Sequence, residues 1–298
     1  MAPYPRPAHA LTLILLLSVA AQAGCLLLLW LSTFGQNPFP ELPVPMILMF
    51  GALLSGPLES LSRQLPARAM LIGLLGAVAA NLLYLALANL LAEAATLYLL
   101  APATALALTA TFRILSGRYG EMLSAMTVYG VATVLANYTF DSFIPFGDFF
   151  LVNVGTFFFG ITFTQRDRVH RFGRRSVYLM IAAAALANVL MSLHLGTPLR
   201  YVFVGFLAIL LSESADTEIY ARLLHRRWFT RVASSNAVSA PLDTLIFTIL
   251  AFAGEEFATS AWMFQVIVTD VLVKYGSSLL AALQIVSARR PAVGAGGG

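Results

Sequence analysis

Ten stretches of about 20 mostly apolar residues follow one another along the chain. Each is long enough to cross the roughly 30 Å hydrocarbon core of a bilayer as an α-helix. The stretches lie near residues 10–33, 43–61, 69–92, 94–112, 121–140, 148–165, 176–195, 199–219, 234–253 and 260–286. The second contains Pro43, Pro45 and Pro57, so a broken or short helix fits it as well as a regular one. The pattern predicts an all-α, polytopic integral membrane protein with about ten transmembrane helices.

The composition excludes other classes of protein. Of the 298 residues, 59% are hydrophobic and 11% are charged, whereas soluble domains have about 45–50% and about 25%. So few charges cannot cover a surface that faces water, and so apolar a chain is not disordered. The net charge of +4 is too small and too dispersed to indicate a nucleic-acid partner. With Cys25 as the one cysteine and no phosphate-loop or metalloenzyme motif, no cofactor and no metal site are predicted.

The arginines predict how the helices are oriented. Sixteen of the 18 basic residues fall at the N-terminus, in alternate connections or at the C-terminus: Arg6, Arg63, Arg68, Arg113, Arg118, Arg166, Arg168, Arg171, Arg174, Arg175, Arg222, Arg226, Arg227, Arg231, Arg289 and Arg290. The opposite connections are acidic and contain only Arg200. Because positive charge accumulates in cytoplasmic loops, both termini are predicted to be cytoplasmic and the membrane to be the inner membrane of a cell.

The first stretch has a second interpretation as a cleaved signal. Ala21, Gln22 and Ala23 before Gly24 and Cys25 resemble a processing site after a basic start and an apolar run. The apolar run continues to Leu31, beyond the point of cleavage, which favours an uncleaved transmembrane helix.

The two parts of the chain differ in polarity. Residues 1–117 contain four stretches with almost no polar side chains beyond Ser and Thr, and we interpret them as a four-helix transmembrane segment of unknown role. Residues 118–288 contain six stretches with several polar and ionisable residues, and 289–298 form a small-residue tail that we expect to be disordered. Ionisable residues inside a bilayer are costly and usually line a cavity or an ion path. Function is therefore predicted to lie in the six-helix part.

The ninth stretch carries the clearest polar face. Asn236, Ser239 and Asp243 are spaced i, i+3 and i+7, and Pro241 frees a backbone carbonyl one turn earlier. Such a face serves either a ligand or helix packing through Ser and Asn hydrogen bonds. For Asp243, in the middle of the stretch, we expect a functional role.

Two further pairs of ionisable residues are placed to act together. Asp270 and Lys274 are i, i+4 in the last stretch, where they form either a structural ion pair or part of a coupling-ion site. Glu213 and Asp216 share a face that Tyr220 continues, while Glu218 points elsewhere.

These passages together resemble the vitamin uptake transporter (VUT) family of queuosine-precursor transporters over about residues 120–288. The resemblance rests on Glu213, Asp216 and Ile219-Tyr220, on the arginine-rich loop, on Ser235-Asn236, Ser239 and Asp243, and on Ala251-Phe252 with Gly254. Ala136-Asn137 and Thr162-Phe163 before Asp167 match more weakly. Two features depart from the family: Arg168-Val169-His170-Arg171 stands where the family has acidic and amide residues, and the four leading helices have no counterpart.

The resemblance implies import of a 7-deazaguanine precursor of queuosine, chiefly 7-cyano-7-deazaguanine, for salvage into tRNA modification. The residues expected to bind this small-molecule substrate are Asn137, Glu213, Asp216, Asn236, Ser239 and Asp243, with Asn153, Asp167, Tyr220 and Phe247 as further candidates. Polar groups would bind the edge of the heterocycle, and Phe157, Phe158 and Phe247 would stack on its face.

Two other functions remain open at this level. The chain could be the substrate-binding membrane component of an energy-coupled vitamin uptake system, with an energising partner or a second copy docked on its small-residue faces. It could also be an intramembrane enzyme that uses Asp243 and Asp270.

Overall fold

The structure, a computed structural model, describes residues 43–63, 79, 100–115, 118–195, 198–223, 225–226 and 228–288. Its elements are α1 (Pro43–Ser62), α2 (Leu100–Ile114), α3 (Arg118–Tyr138), β1 (Phe143–Phe146), β2 (Phe150–Asn153), α4 (Val154–His170), α5 (Arg174–Leu195), α6 (Leu199–Arg222), α7 (Trp228–Phe252) and α8 (Ser260–Ala288). This part of the chain is helical except for one short hairpin, as the all-α class requires. The first predicted stretch, the third apart from residue 79, and the tail 289–298 lie outside the described residues.

Each of the other eight predicted stretches overlaps one helix. The second is a continuous helix, α1, despite its prolines. Pro43 and Pro45 fall in its first turn, where backbone N–H groups have no partner within the helix, and the side chain of Pro57 is exposed.

The sixth predicted stretch was wrong at its beginning. Instead of a helix from residue 148, residues 150–153 form β2, which pairs antiparallel with β1, and α4 begins only at Val154. Phenylalanines favour strands, and Gly147 adopts the left-handed conformation (φ +65°) that the turn between them requires. Asn153 then ends the hairpin and begins the helix, because its Oδ1 accepts a hydrogen bond from Gly155 N at 2.7 Å.

The described residues divide into two compact units. The first contains those up to 132 together with 165–177, and the second contains 133–164 and 178–288. In the first unit α1 packs against α2; in the second, α7 packs against both α6 and α8, and α8 packs against β2. The predicted boundary between a four-helix and a six-helix part near residue 117 remains a prediction.

Helices α5 and α7 have the polarity that lipid demands. Their buried side chains include Asn188 and Ser192 on α5 and Asn236, Asp243 and Thr248 on α7. Between the polar first turns and the C-terminal ends of these helices, many exposed side chains are apolar, for example Leu179, Leu186, Leu190 and Leu193 on α5 and Val238, Leu245 and Ile249 on α7. This arrangement is the reverse of the one found on helices that face water. Among the described residues, the segments Arg174–Leu193 and Ala233–Phe252 are long and apolar enough to cross a membrane.

In the first unit, a buried carboxylate neutralises an arginine at the end of α4. Glu59 of α1 is 1% exposed, forms an ion pair with Arg63 one turn later, and places Oε2 3.2 Å from Arg168 Nη2. Arg168 Nη1 also donates to Gln165 Oε1 at 3.0 Å. The counter-charge of Arg168 therefore comes from α1.

We expect Glu59→Gln to destabilise the protein by roughly 2–3 kcal/mol, because the amide cannot neutralise the partly buried Arg168. The measurement is the melting temperature in detergent, with a drop of about 5 °C. Glu121→Gln is the matched control, since Glu121 lies 3.7 Å from Arg171 in an ion pair that is largely accessible to solvent. Such pairs contribute about 0–1 kcal/mol, so equal shifts for the two variants would contradict the role given to Glu59.

In the second unit, helices α3 and α4 approach closely at Gly155. A Cβ atom at this position would lie 2.6 Å from the backbone oxygen of Ala136 and 2.9 Å from Asn153 Oδ1. A backbone carbonyl cannot move as a side chain does, so the glycine is required by the packing.

Gly155→Ala should therefore lower stability by about 1–3 kcal/mol through overpacking. Gly276→Ala on α8 is its control, because no atom of the described residues lies within 4 Å of the added methyl group there and alanine favours a helix. Thermal unfolding of both variants in detergent tests the contact, and a Gly155→Ala protein as stable as the wild type would refute it.

Candidate functional site

The polar residues of α7 form one buried face. The buried residues are Ser235, Asn236, Ser239, Asp243 and Thr244. Val238 lies between them in the sequence and Leu245 directly after them, and both are exposed. The i, i+3, i+4 and i+7 spacing of the polar residues places them along one side of the helix, toward α6 and α8. This face is the centre of the candidate site.

Asp243 forms a buried ion pair with Lys274 of α8. The two residues are 4% and 2% exposed, and Lys274 Nζ lies 2.6 Å from Asp243 Oδ2. The ammonium also donates to Thr244 Oγ1 at 2.8 Å and lies 4.7 Å from the centre of the Phe159 ring. A carboxylate, a hydroxyl and an aromatic face thus surround the only lysine of the chain.

Asp270 has a different set of close contacts, although its i, i+4 spacing predicted Lys274 as its partner. Its Oδ1 accepts a hydrogen bond from Asn153 N at 3.3 Å, and it is hydrogen-bonded by the Thr156 side chain. The neighbouring Thr269 Oγ1 accepts from Leu151 N at 3.2 Å. The charge of Lys274 still acts on Asp270, one turn away, but the short ion pair of Lys274 is to Asp243. Asp270 therefore fixes the end of the hairpin and the start of α4 against α8.

Asn153 has structural contacts on both sides of its amide. Its Nδ2 donates to Phe140 O at 2.5 Å, and its Oδ1 caps α4. These bonds join the end of α3 to the start of α4, so this further candidate has an evident role in the fold.

Asp216 and Ser239 join α6 to α7. Ser239 Oγ donates to Asp216 Oδ1 at 3.3 Å, and both residues are buried. Glu213 lies one turn before Asp216 on the same face and is buried too, whereas Glu218 is exposed and pairs with Arg222 at 3.0 Å. The predicted division of these acids between a buried and an exposed face is thus the observed one.

Tyr220 continues the α6 face toward the loop before α7. The Arg231 guanidinium lies over the Tyr220 ring, with its carbon 5.1 Å from the ring centre. This contact joins the end of α6 to the first turns of α7 at the arginine-rich loop.

Asn137 of α3 belongs to a second buried polar group. Its Nδ2 donates to Asn188 Oδ1 at 2.7 Å, and Asn188 Nδ2 donates in turn to Thr133 Oγ1 at 3.1 Å and to Ala184 O at 2.8 Å. Gly205 of α6 lies against Asn137, since a Cβ there would be 2.9 Å from Asn137 Oδ1 and 3.7 Å from the Phe247 ring. The amide of Asn137 and the ring of Phe247 are therefore neighbours across Gly205.

Asn236 carries a buried acceptor without a partner. The residue is 6% exposed, and its Oδ1 has no hydrogen bond to any described residue. Buried polar atoms are nearly always paired, so an exception on a face with Ser239 and Asp243 requires an explanation.

Pro241 has a local effect on α7 that α8 compensates. Proline has no N–H to donate to the carbonyl of Ala237 four residues earlier, and the Tyr275 hydroxyl donates to that oxygen instead, at 3.0 Å. The carbonyl that the sequence predicted as available to a ligand is thus hydrogen-bonded to α8.

Helix α7 ends in an aromatic cluster that is followed by a glycine turn. Phe252 is fully buried and lies 5.3 Å from Trp262 between ring centres, in a cluster with Phe140, Phe143, Tyr201 and Phe247. Gly254 has φ +94°, the left-handed conformation with which helices commonly end.

In the turn after α3, burial raises the pKa of the Asp141 carboxyl, and a backbone hydrogen bond lowers it by less.

The remaining predicted residues lie elsewhere. Phe157 is 52% exposed, so it is not placed to stack on a ligand beside Asp243, whereas Phe159 two residues later contacts Lys274. Asp167 belongs to the first unit, where it lies 3.7 Å from the buried Arg166. Among the described residues, no three His, Cys, Asp or Glu side chains are grouped so as to hold a metal ion.

Sequence inspection missed Asn188, Thr244, Thr156 and Phe159. Asn188 had a signal, because it is an amide in an otherwise alanine- and leucine-rich stretch. Phe159 and Thr156 had none, since their roles come from contacts with another helix.

Residues 153–288 match the family model described as "Putative vitamin uptake transporter". The matched segment runs from the cap of α4 to the end of α8 and contains the whole polar face of α7, while Asn137 and Glu59 precede it. No curated protein and no solved structure matches the chain significantly.

Proposed function

Since residues 153–288 belong to the vitamin uptake transporter family, we propose that this chain imports a queuosine precursor across the inner membrane. The family itself supplies the coarser statement, uptake of a small molecule by a membrane protein. The proposal adds the substrate, 7-cyano-7-deazaguanine or a related deazapurine. It also adds the topology, ten transmembrane helices with both termini in the cytoplasm.

The observation that carries the proposal is the buried amide oxygen of Asn236, which accepts no hydrogen bond from any described residue and lies on the face that contains Asp243. A guanine-like heterocycle presents N–H donors along one edge, and it needs acceptors that other protein groups have not already used. Asn236 Oδ1 is such an acceptor. Asp243 contributes another, because a carboxylate accepts about four hydrogen bonds and the described contact of Lys274 is to Oδ2.

Five other predicted residues complete the proposed binding surface. Asp216 is held by Ser239 on the neighbouring helix, one turn from Asn236, and Glu213 lies a further turn along α6. Aromatic side chains next to the polar groups provide the face on which a planar heterocycle stacks, and Phe247 beside Asn137 is the best placed of those predicted.

The alternatives have less support. A transporter family does not favour catalysis, and Asp243 with its Lys274 ion pair differs from the paired carboxylates that an aspartate hydrolase needs. A binding component that depends on an energising partner shares the same binding surface. Transport by the isolated protein distinguishes it from the proposed function.

The proposal is tested in cells that lack both queuosine precursor synthesis and their own precursor transporter. Expression of this chain should restore queuosine in tRNA at low external 7-cyano-7-deazaguanine, and cells with an empty vector should show none. Absence of queuosine despite normal levels of the protein in the membrane would count against this substrate.

A further inference from the structure

Lys274 occupies the kind of environment in which other transporters bind a coupling cation. Its Nζ is held by Asp243 Oδ2 at 2.6 Å, by Thr244 Oγ1 at 2.8 Å and by the Phe159 ring at 4.7 Å. Carboxylate and hydroxyl oxygens are the ligands that hard monovalent and divalent cations prefer. Helix α7 is continuous here, but Pro241, two residues before Asp243, removes one backbone N–H donor from it.

Lys274 is the cation described near both buried aspartates of this region. Its ammonium contacts Asp243 directly, and its charge also acts on the buried Asp270 one turn away. If its ammonium were removed, two carboxylates would remain in an apolar interior, where an uncompensated charge is strongly unfavourable. A cation from solution would then be the simplest compensation.

We propose that Lys274 is a built-in cation that takes the place of a coupling Na⁺ between α7 and α8, so that uptake by this chain does not require Na⁺. The inference rests on the proposed function, because an ion can be coupled to uptake only if the chain is a transporter. The experiment that tests it measures cation binding and does not require transport. An ion pair with a purely structural role could be replaced by apolar side chains without creating any affinity for a cation. A tethered cation, in contrast, leaves a cation site behind when it is removed.

The test compares melting temperatures of the purified protein in NaCl and in choline chloride at equal concentration, with no substrate present. Lys274→Ala should melt about 3–5 °C higher in 100 mM NaCl than in choline chloride. The wild type should melt at the same temperature in both salts. Tyr275→Phe, a change at the neighbouring residue on α8, is the control: it removes the hydrogen bond to Ala237 O but no charge, so it should melt at the same temperature in both salts. The double variant Asp243→Asn/Lys274→Ala should also lose the response, because it lacks the carboxylate that would bind Na⁺.

Two results would overturn the inference: specific stabilisation of the wild type by Na⁺, or a folded Lys274→Ala protein that melts equally in both salts. Lys274→Ser, which adds a hydroxyl ligand, gives a second variant if Lys274→Ala does not fold. The wild-type measurement needs no variant at all. No substrate is used, so a negative result in this melting experiment says nothing about the proposed substrate. A negative result in the precursor uptake experiment likewise says nothing about cation binding.

Discussion

Asp243→Asn is expected to reduce uptake of 7-cyano-7-deazaguanine roughly 100-fold. A hydrogen bond to a charged acceptor contributes about 1.5–3 kcal/mol, and the substitution removes the charge from the centre of the α7 face. The measurement is initial uptake of labelled precursor, normalised to the amount of protein in the membrane. Uptake within a few-fold of wild type would remove Asp243 from the binding site.

The same substitution also destabilises the protein, because it leaves Lys274 buried without its carboxylate. Breaking such a pair costs about 3–5 kcal/mol, so the melting temperature in detergent should fall by about 10 °C. The double variant Asp243→Asn/Lys274→Met carries no charge at either position and should recover most of this loss. It should nevertheless remain inactive, and recovery of uptake together with stability would show that Asp243 is merely structural.

Asn236→Leu is expected to lower uptake by about 10–100-fold while leaving the melting temperature unchanged or higher. The amide oxygen of Asn236 is buried without a hydrogen bond to any described residue, so an apolar replacement of similar size removes an unfavourable group. The substitution weakens binding only of a ligand that donates a hydrogen bond to this oxygen. Uptake and thermal unfolding measured on the same preparation separate the two effects.

Asn188→Leu is the matched control for Asn236→Leu. Asn188 is an equally buried asparagine of the same unit, but its amide holds Asn137 and Thr133. Its replacement leaves those groups without this partner and should lower the melting temperature, since an unmet buried donor or acceptor costs about 1–3 kcal/mol. Equal stability changes in the two leucine variants would contradict the distinction between the paired amide of Asn188 and the amide oxygen of Asn236, to which no described residue donates.

The helices were predictable because each apolar stretch carries its own signal. Long runs without charges predicted the C-terminal ends of α5 and α7 to within a few residues. The hairpin was not predictable in this way. Its phenylalanines are as apolar as the residues of a transmembrane helix. The features that mark these residues as a hairpin are Gly147 in the turn and Asn153, which caps the next helix.

The candidate site was predictable only within single helices. Helical spacing grouped Asn236, Ser239 and Asp243 and separated Glu218 from Asp216, because i, i+3 and i+4 neighbours depend on one helix alone. The same rule favoured Asp270 as the partner of Lys274. The packing of α7 against α8 instead brings Asp243 within 2.6 Å of that ammonium.

Contacts between distant parts of the sequence left no signal that spacing could detect. Glu59 and Arg168 are separated by 109 positions, and nothing in either stretch indicates the other as its partner. The same is true of Phe159, which became part of the site only through its position over Lys274. Sequence patterns therefore located the helix that carries the chemistry, whereas the structure was needed to identify its partners.

The most direct test of transport uses proteoliposomes that contain this protein alone. Vesicles with the wild-type chain should accumulate labelled 7-cyano-7-deazaguanine in a saturable manner that excess unlabelled compound suppresses, and vesicles with Asp243→Asn/Lys274→Met should not. If wild-type vesicles take up no more than these controls, although the purified protein is folded and correctly inserted, the account of this chain as a self-sufficient precursor transporter is contradicted.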